Sequence, residues 1–277
     1  MVKKIFEAEY AGHPVRYAFL TPGVRPYFHT WLRPVEGNTY NVTVTPERLQ
    51  YARSLLAALG QTDAGAELRA LENLTAQSLF PSGYSDAYVE FRTLTELTSR
   101  FLLPHGCCFF HAVSFLWNGW AWLLGAPSGT GKTTQFLNWQ RLHPEEVSMI
   151  CGDMPLLQRR EDGSIWVWPS PWNGKEHLGS QNLSAPLAGV VLLEQGDENH
   201  LSSLPPREAI LPFFSQFVAY PETEEQVSAL CDLMDHLLRT VPVWKLVNLG
   251  DDESTEILRS AFSLRVEELT GGTAHAL

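Results

Sequence analysis

A lysine and two threonines stand at the end of a glycine-rich stretch, a combination that binds phosphate. Residues 121–134 read AWLLGAPSGTGKTT, so an apolar run leads into a glycine-rich turn and then into a helical pattern. In such a loop, successive backbone N–H groups converge on phosphate oxygens, and the following helix adds the positive end of its dipole. The stretch therefore predicts a nucleoside triphosphate site. Its members are Ser128, Gly129, Thr130, Gly131, Lys132, Thr133 and Thr134.

Two side chains of this loop have predicted chemical roles. Lys132 would reach the outer phosphates, and the Thr133 hydroxyl would ligate Mg²⁺. One position departs from the strict pattern G-x-x-x-x-G-K-[ST], because Ala126 stands where the first glycine belongs and Gly125 comes one place early. Alanine has less backbone freedom than glycine. The alternative is an ordinary Gly/Ser loop that begins a helix, but the order of strand, loop and helix favours phosphate binding.

An acidic residue follows the next apolar run of the chain. Residues 147–151 are apolar and strand-like, and Gly152 and Asp153 come directly after them. Asp153 lies about twenty residues beyond Lys132, where a phosphoryl-transfer enzyme needs a second group that faces the metal. Mg²⁺ prefers carboxylate oxygen, so Asp153 is a predicted metal ligand and catalytic residue. The alternative is an aspartate that begins a turn before Pro155.

A second lysine lies in a loop rich in proline and tryptophan. Residues 168–177 read WPSPWNGKEH, in which Lys175 follows Gly174. An ammonium there would neutralise charge on the transferring phosphoryl group or on an anionic substrate. A solvated lysine on a surface loop explains the same pattern.

The patterns around these residues predict a mixed α/β fold. Asn118-Gly119 between two apolar runs indicates a hairpin whose second arm carries the phosphate loop, so the core is expected to hold a mixed β-sheet. A hairpin over 156–168, a buried strand over 187–194 and a strand near 243–249 follow. Residues 201–204 are expected to return beside the 187–194 strand. Helices are predicted at 132–142, 206–217, 222–239 and 254–262.

The N-terminal region has a different pattern and no catalytic motif. Residues 2–45 predict a small antiparallel sheet, and helical patterns follow at 46–60, 65–79 and 84–103. We therefore expect an N-terminal α+β subdomain over 1–104, a candidate for substrate recognition by elimination. A nucleotide-binding catalytic domain is expected over 105–269. The tail 270–277 lacks a pattern and is expected to fray.

Composition limits the environment and the partners of the chain. With 277 residues, 44% hydrophobic and 18% charged, it is expected to be globular. A net charge of −11 argues against nucleic acid and anionic membranes as partners. The four cysteines lack metal-binding spacing and are expected to be buried free thiols. No signal sequence or membrane-spanning run is present, which predicts a cytoplasmic protein.

Together these motifs resemble the HPr serine kinase/phosphorylase-like family, whose nucleotide fold is shared with phosphoenolpyruvate carboxykinases. The similarity covers about residues 105–265 and is greatest to small HPr-kinase-like proteins, including kinases of peptide natural-product precursors such as lasso peptides. The matching stretches are Phe110-His111-Ala112, Ala126 to Thr134, Gly152-Asp153-x-Pro155, Ser170-Pro171-Trp172-x-Gly174-Lys175 and Leu187 to Gly196.

The resemblance implies a kinase of the PEP carboxykinase-like nucleotide fold that uses ATP and Mg²⁺ and phosphorylates a hydroxyl of a peptide or protein. Residues 128–134 would cradle the phosphates, and Thr133 and Asp153 would hold Mg²⁺. Either Asp153 or His111 would accept the proton, although a lone histidine in an apolar strand also fits a core role. Related proteins have two adjacent acids where this chain has Gly152 and Asp153.

Other functions stay open at this point. The family's Glu-x-Arg-Gly signature is absent, which argues against HPr as the substrate. The acceptor is also compatible with a small molecule, and a nucleotide-binding regulatory protein with little turnover fits the departures at Ala126 and Gly152. A carboxykinase is disfavoured because the chain is about half the expected size. The sequence does not fix the oligomeric state.

Overall fold

The structure is a computed structural model that describes residues 5–28, 31–59, 85–174, 179 and 183–271. Within these ranges, the side chains of residues 56–59 are not described. The predicted helix over 65–79, the Lys175 side chain and residues 272–277 of the predicted tail lie outside the described residues. The chain divides into two compact units, Met1–Leu102 and Leu103–Leu277.

The N-terminal unit combines a small three-stranded sheet with helices. β1 and β2 are antiparallel, but β3 runs parallel to β2. The expectation of a wholly antiparallel sheet was therefore wrong for the third strand. A helix and a long coil separate β2 from β3, and this connection is long enough for the crossover that a parallel pair requires. The described elements are β1 (Ile5–Tyr10), β2 (His13–Ala18), α1 (Arg25–Phe28), β3 (Tyr40–Thr43), α2 (Pro46–Leu59) and α3 (Asp86–Leu102).

One face of this sheet is buried against α3. The strands alternate, so that Tyr10 and Tyr17 point inward and are fully buried. The Tyr17 hydroxyl lies 2.8 Å from that of Tyr10 and 2.9 Å from the Thr98 hydroxyl of α3. The Glu90 carboxylate of α3 also accepts hydrogen bonds from the backbone N–H of Leu20 and Thr21. Helix and sheet therefore share a satisfied polar network inside an apolar core.

The C-terminal unit is built on one large mixed sheet, as the sequence predicts. Its main strand order is β12-β4-β8-β9-β10-β6-β5-β7, and β13 joins β10 to β11. The strands are β4 (Cys107–Phe110), β5 (Ala112–Trp117), β6 (Trp120–Gly125), β7 (Val147–Cys151), β8 (Leu156–Arg159), β9 (Ile165–Trp168), β10 (Ala185–Gln195), β11 (His200–Ser203), β12 (Phe217–Val218) and β13 (Val243–Asn248).

The hairpin that carries the glycine-rich loop is present. β5 and β6 are antiparallel, and Trp117 pairs with Trp120 across the turn. Asn118 and Gly119 in this turn both have positive φ, 50° and 78°, as a tight hairpin turn requires. β10 is parallel to β6 and to β13, so parallel and antiparallel pairs coexist in one sheet.

The predicted return strand after β10 pairs differently from the expectation. β11 is antiparallel to β13, and β13 lies between β11 and β10. The prediction that residues 201–204 return beside 187–194 was therefore wrong. β10 is buried for most of its length, and the apolar strand β13 covers its edge better than the more polar β11 does.

Helices cover both faces of the large sheet. Helices α5 and α6 pack through Phe213 and Leu233 into one apolar cluster, and α4 and α7 pack through Trp139 and Phe262 into the other. Among the described residues, no helix has both the length and the apolar character that crossing a membrane requires. The helices are α4 (Lys132–Leu142), α5 (Pro206–Phe214), α6 (Glu224–Thr240) and α7 (Asp252–Leu269).

The expectation of buried cysteines holds for three of the four residues. Cys107, Cys108 and Cys151 are buried free thiols in strands of the large sheet. Cys231 is also free, but it lies on the exposed side of α6 and corrects the prediction. The amphipathic pattern of α6 directs its leucines inward and leaves this position facing solvent.

Two chain segments, residues 107–117 and 147–159, run antiparallel to each other in the large sheet. Each segment is divided into two strands, and the two interruptions lie opposite each other. β4 pairs with β8, while β5, which follows β4 directly, pairs with β7. Between these pairs, Phe110 N donates to Pro155 O at 3.0 Å and Ala112 N donates to Asp153 O at 2.9 Å. We call His111 together with residues 152–155 the seam. The seam therefore lies between the β4–β8 pair and the β5–β7 pair, where regular antiparallel pairing is interrupted.

Candidate active site

The glycine-rich loop leaves the buried end of β6 and returns the chain into α4. Gly129 and Gly131 have φ values of 81° and 107°, a region that favours glycine, and α4 begins at Lys132. The Thr130 hydroxyl donates to Pro127 O at 2.9 Å and closes the turn. The first N–H groups of α4 have no acceptor within the helix. The loop thus offers free donors at a positive helix end.

The alanine that departs from the phosphate-loop pattern is accommodated by its surroundings. Ala126 is 2% exposed, and its methyl group packs in the apolar cluster that contains Phe136. Its φ is not among the positive values of the loop. This position therefore does not need glycine. Further along the loop, Ser128, Gly129 and Thr134 are exposed, while Thr130, Gly131 and Thr133 are half-buried.

Lys132 folds back beneath the loop and is surrounded by acceptors. Its Nζ donates to Ala126 O at 2.7 Å and to Pro127 O at 3.2 Å, and it lies 3.3 Å from His111 Nε2. Carbonyl oxygens thus accept from two of the three donors of the ammonium, and the third donor faces the His111 ring. Burial lowers the pKa of Lys132 to about 8, and the nearby Asp153 carboxylate opposes that shift. The hydrogen bonds fix the position of the ammonium, and its lowered pKa makes it easier to deprotonate than an exposed lysine.

The seam brings the other two predicted catalytic side chains to this lysine. His111 Nε2 lies 3.4 Å from Asp153 Oδ1, and the two side chains are 27% and 40% exposed. His111 is therefore neither fully buried nor surrounded only by apolar groups. Its backbone N–H donates to Gln216 O at 2.6 Å, which fixes the chain where β4 ends. Asp153, His111 and Lys132 form a continuous row of polar groups.

One ring nitrogen of His111 faces both an ammonium and a carboxylate. When Nε2 is unprotonated it can accept from Lys132, and when the ring is protonated its charge faces the Asp153 carboxylate at 3.4 Å. It cannot do both at once, so the proton at Nε2 decides which neighbour the ring binds. An imidazole and a carboxylate, both of them side-chain types that serve as general bases, thus lie 3.4 Å apart.

Gly152, where the resemblance noted from the sequence leads one to expect a second acid, has no room for a side chain. A Cβ at this position would lie 2.8 Å from Asn173 O and 3.3 Å from Met149 Sδ. The Gly152 N–H donates to Asn173 Oδ1 at 2.5 Å. Asn173 is 7% exposed, so its amide fills the space beside the Gly152 backbone. The loop that contains Asn173 packs against Gly152 and leaves no room for a second acidic side chain in the seam.

The same loop holds the chain on the other side of Asp153. Met154 N donates to Trp172 O at 2.9 Å, and the buried Ser170 hydroxyl donates to Met154 O at 2.5 Å. Sequence reasoning missed this positioning role of Ser170 and Asn173. The loop is rich in proline and tryptophan, and this composition could have indicated a rigid positioning role. It was used only to predict a role for Lys175, which lies outside the described residues. No local pattern identifies Gln216, which acts through its backbone carbonyl.

A buried polar contact fixes α4, the helix that begins at the loop. The Gln135 side chain donates from Nε2 to the Thr255 hydroxyl at 3.0 Å and accepts at Oε1 from the Ser254 hydroxyl at 3.1 Å. All three side chains are buried. Ser254 and Thr255 belong to the first turn of α7, which Asp251 caps. The first turns of α4 and α7 are thereby joined.

The residues present fit a magnesium ion that arrives with a nucleotide. The described residues contain no cluster of three or more His, Cys, Asp and Glu side chains suited to a metal. Mg²⁺ bound to nucleotide phosphates keeps several waters and needs only one or two protein ligands. Asp153 is a partly exposed carboxylate close to the loop lysine, and Thr133 supplies a hydroxyl in the first turn of α4. These two oxygen groups match that modest requirement.

Among the comparisons with known proteins, the matches come from solved structures. No protein-family model matches the sequence, and no curated protein matches it. Among solved structures, the chain is similar to the HPr(Ser) kinase/phosphatase from Coxiella burnetii, with 12% identity and a TM-score of 0.35 over 57% of this chain and 98% of that one. That protein is of the kind that the sequence motifs resemble. At this TM-score the likeness carries no argument about function, which depends on the site itself.

Proposed function

We propose that the protein is an ATP-dependent kinase that transfers the γ-phosphate to a hydroxyl of a peptide or protein. The observation that carries the proposal is the row of Lys132, His111 and Asp153 beneath a glycine-rich loop. Phosphoryl transfer needs a cation at the outer phosphates, backbone donors around them and a base for the acceptor hydroxyl. The proposal is supported by the proximity of two side chains that can act as a base, His111 and Asp153, to a lysine suited to bind phosphates.

Each residue has a defined part in this mechanism. The loop N–H groups and Lys132 bind and orient the phosphates, while Thr133 and Asp153 would hold Mg²⁺, which would supply positive charge beside the phosphoryl group. Asp153 or His111 accepts the proton of the acceptor hydroxyl. Because His111 Nε2 lies 3.4 Å from Asp153 Oδ1, whichever of the two residues is not the base can stabilise the one that is. A base in this role contributes roughly a hundredfold to ten-thousandfold in rate.

The experiment measures ADP formation from ATP and Mg²⁺ with and without peptides encoded beside this gene, and mass spectrometry detects the added phosphate. We expect Lys132→Ala to lose nucleotide binding, because the buried cation is removed. Asp153→Asn is expected to keep binding while losing transfer by at least about a hundredfold. Unchanged transfer in both variants would rule out the assigned roles.

A nucleotide-binding regulatory protein with little turnover is the second candidate. The packing of Asn173 against Gly152 favours it, because the seam then offers one carboxylate for both metal and proton. ATP binding that depends on Lys132, without phosphate on any supplied peptide or small molecule, would support this alternative over the kinase.

A further inference from the structure

We propose that the N-terminal unit has a docking groove for an extended peptide segment that carries carboxylates beside apolar side chains. An open groove of about 600 Å³ runs along β1, the edge strand of the small sheet. Its apolar lining comes from Ile5, Phe6, Leu32 and Pro34. The proposal rests on the kinase function for its biological role, since the bound segment would belong to the phosphate acceptor.

The groove carries more positive than negative side chains. Arg16, Arg25 and Arg33 line it together with a single carboxylate, that of Glu7. Arg16 donates to Glu7 Oε1 from Nε at 3.0 Å and from Nη2 at 2.7 Å. Arg33 lies 3.5 Å from Glu9. The two pairs leave Arg25 as the cation whose charge is not offset.

Arg25 stands over an aromatic ring without an acidic neighbour. Its guanidinium carbon lies 5.4 Å from the centre of the Phe6 ring, and no carboxylate of the described residues pairs with it. Arg25 is exposed, and Phe6 is half-buried and stacked on Phe19. A guanidinium held over a ring keeps its donors available for a carboxylate. This combination binds an acidic side chain and its apolar neighbour together.

The groove is formed before any partner arrives. Arg33 N donates to Glu7 O at 2.9 Å, and Val35 N donates to Glu7 Oε2 at 3.2 Å, which holds one wall against β1. The hydrogen bonds from Arg16 and Val35 lower the pKa of Glu7, so its carboxylate stays ionised at neutral pH. A preformed surface avoids the entropy cost of ordering its own side chains on binding.

Charge selects an acidic peptide as the occupant. The chain as a whole carries −11, so an acidic partner is repelled in general and attracted to this local excess of arginine. A nucleic acid needs a longer basic track to neutralise its phosphates. The apolar lining adds contact for aliphatic or aromatic side chains, which a phosphate backbone does not use.

The test uses the full chain and a fluorescein-labelled peptide of about fifteen residues, in which Asp and Glu alternate with Leu and Phe. Two further probes carry Lys, or Asn and Gln, in place of the acids. We expect fluorescence anisotropy to show binding of the acidic probe only, weakened at least about tenfold when salt rises from about 0.05 M to about 0.5 M. The double variant Arg25→Glu/Arg33→Glu is expected to weaken it by about tenfold or more.

The matched control is Arg207→Glu/Arg239→Glu, which reverses two arginines of the other unit that are 86% and 73% exposed. We expect it to change binding less than about twofold. Equal loss in both double variants, binding of the lysine probe, or binding of phosphatidylserine vesicles in place of the acidic peptide would overturn the proposal. ATP binding is measured in parallel on each variant, so a failed groove with intact Lys132-dependent ATP binding is distinguishable from a failed kinase assignment.

Discussion

The buried ammonium of Lys132 connects nucleotide affinity to pH. Its pKa of about 8 means that a substantial fraction is neutral in mildly alkaline solution. Bound phosphates would raise that pKa, because negative charge beside the group favours its protonated form. Binding of ATP is therefore expected to take up protons from solvent where the free group is deprotonated.

We expect proton uptake on ATP binding to rise from near zero at about pH 7 to nearly one proton at about pH 9. Isothermal titration calorimetry in buffers of different ionisation enthalpy measures this uptake directly. The affinity should weaken by up to about tenfold per pH unit above the pKa of the free group. A pH-independent uptake, or the same pH dependence in Lys132→Met, would contradict the assignment of the proton to this side chain.

The close packing around Gly152 leads to a prediction about stability. Gly152→Ala places a methyl group 2.8 Å from Asn173 O, which is closer than the two atoms tolerate, so either the loop or β7 must shift. We expect a loss of about 1–3 kcal/mol in the free energy of unfolding. Denaturant unfolding of the variant measures this, with Ser148→Ala at an exposed position of β7 as the control. A Gly152→Ala protein as stable as the control would refute the close packing.

At the scale of elements, the contact between α4 and α7 supports the phosphate loop from below. Gln135→Ala removes the donor to the buried Thr255 hydroxyl and one of two acceptors of the Ser254 hydroxyl, which also lies 2.7 Å from Asp251 O, and this is expected to cost about 1–3 kcal/mol of stability. Gln140→Ala is the matched control, because Gln140 is exposed on the same helix. We expect urea unfolding to separate the two variants. Equal midpoints would show that the contact contributes no stability.

Local sequence signals predicted the elements whose formation depends on residues close together in the chain, namely hairpins and helices. Asn118-Gly119 predicted its hairpin because only a few residue types adopt two consecutive positive φ values. Periodic apolar residues predicted α4, α5, α6 and α7, but the predicted end of α5 at residue 217 was wrong because Phe217 pairs in β12, and α7 extends beyond its predicted end to Leu269. The placement of β13 between β10 and β11 was missed, because pairing between distant strands is decided by which edge gains most from being covered.

The whole molecule shows the same division between what the sequence reveals and what folding adds. The mixed α/β architecture and the strand, loop and helix order around Lys132 follow from residue patterns. The contacts of Ser170 and Asn173 with the seam do not, since residues about twenty positions apart meet only through the sheet. Likewise, the arginines of the groove are scattered along residues 16–33, and tertiary structure alone brings them to one place.

The seam has a consequence for how its chemistry can be dissected. Backbone hydrogen bonds from Ala112 to Asp153 and from His111 to Gln216 set the positions of the two side chains. Replacing either side chain therefore leaves the other anchored. Rate losses in His111 and Asp153 variants are thus expected to report on the side chain that was removed, and the non-additivity of the double variant would measure the coupling energy between the two residues.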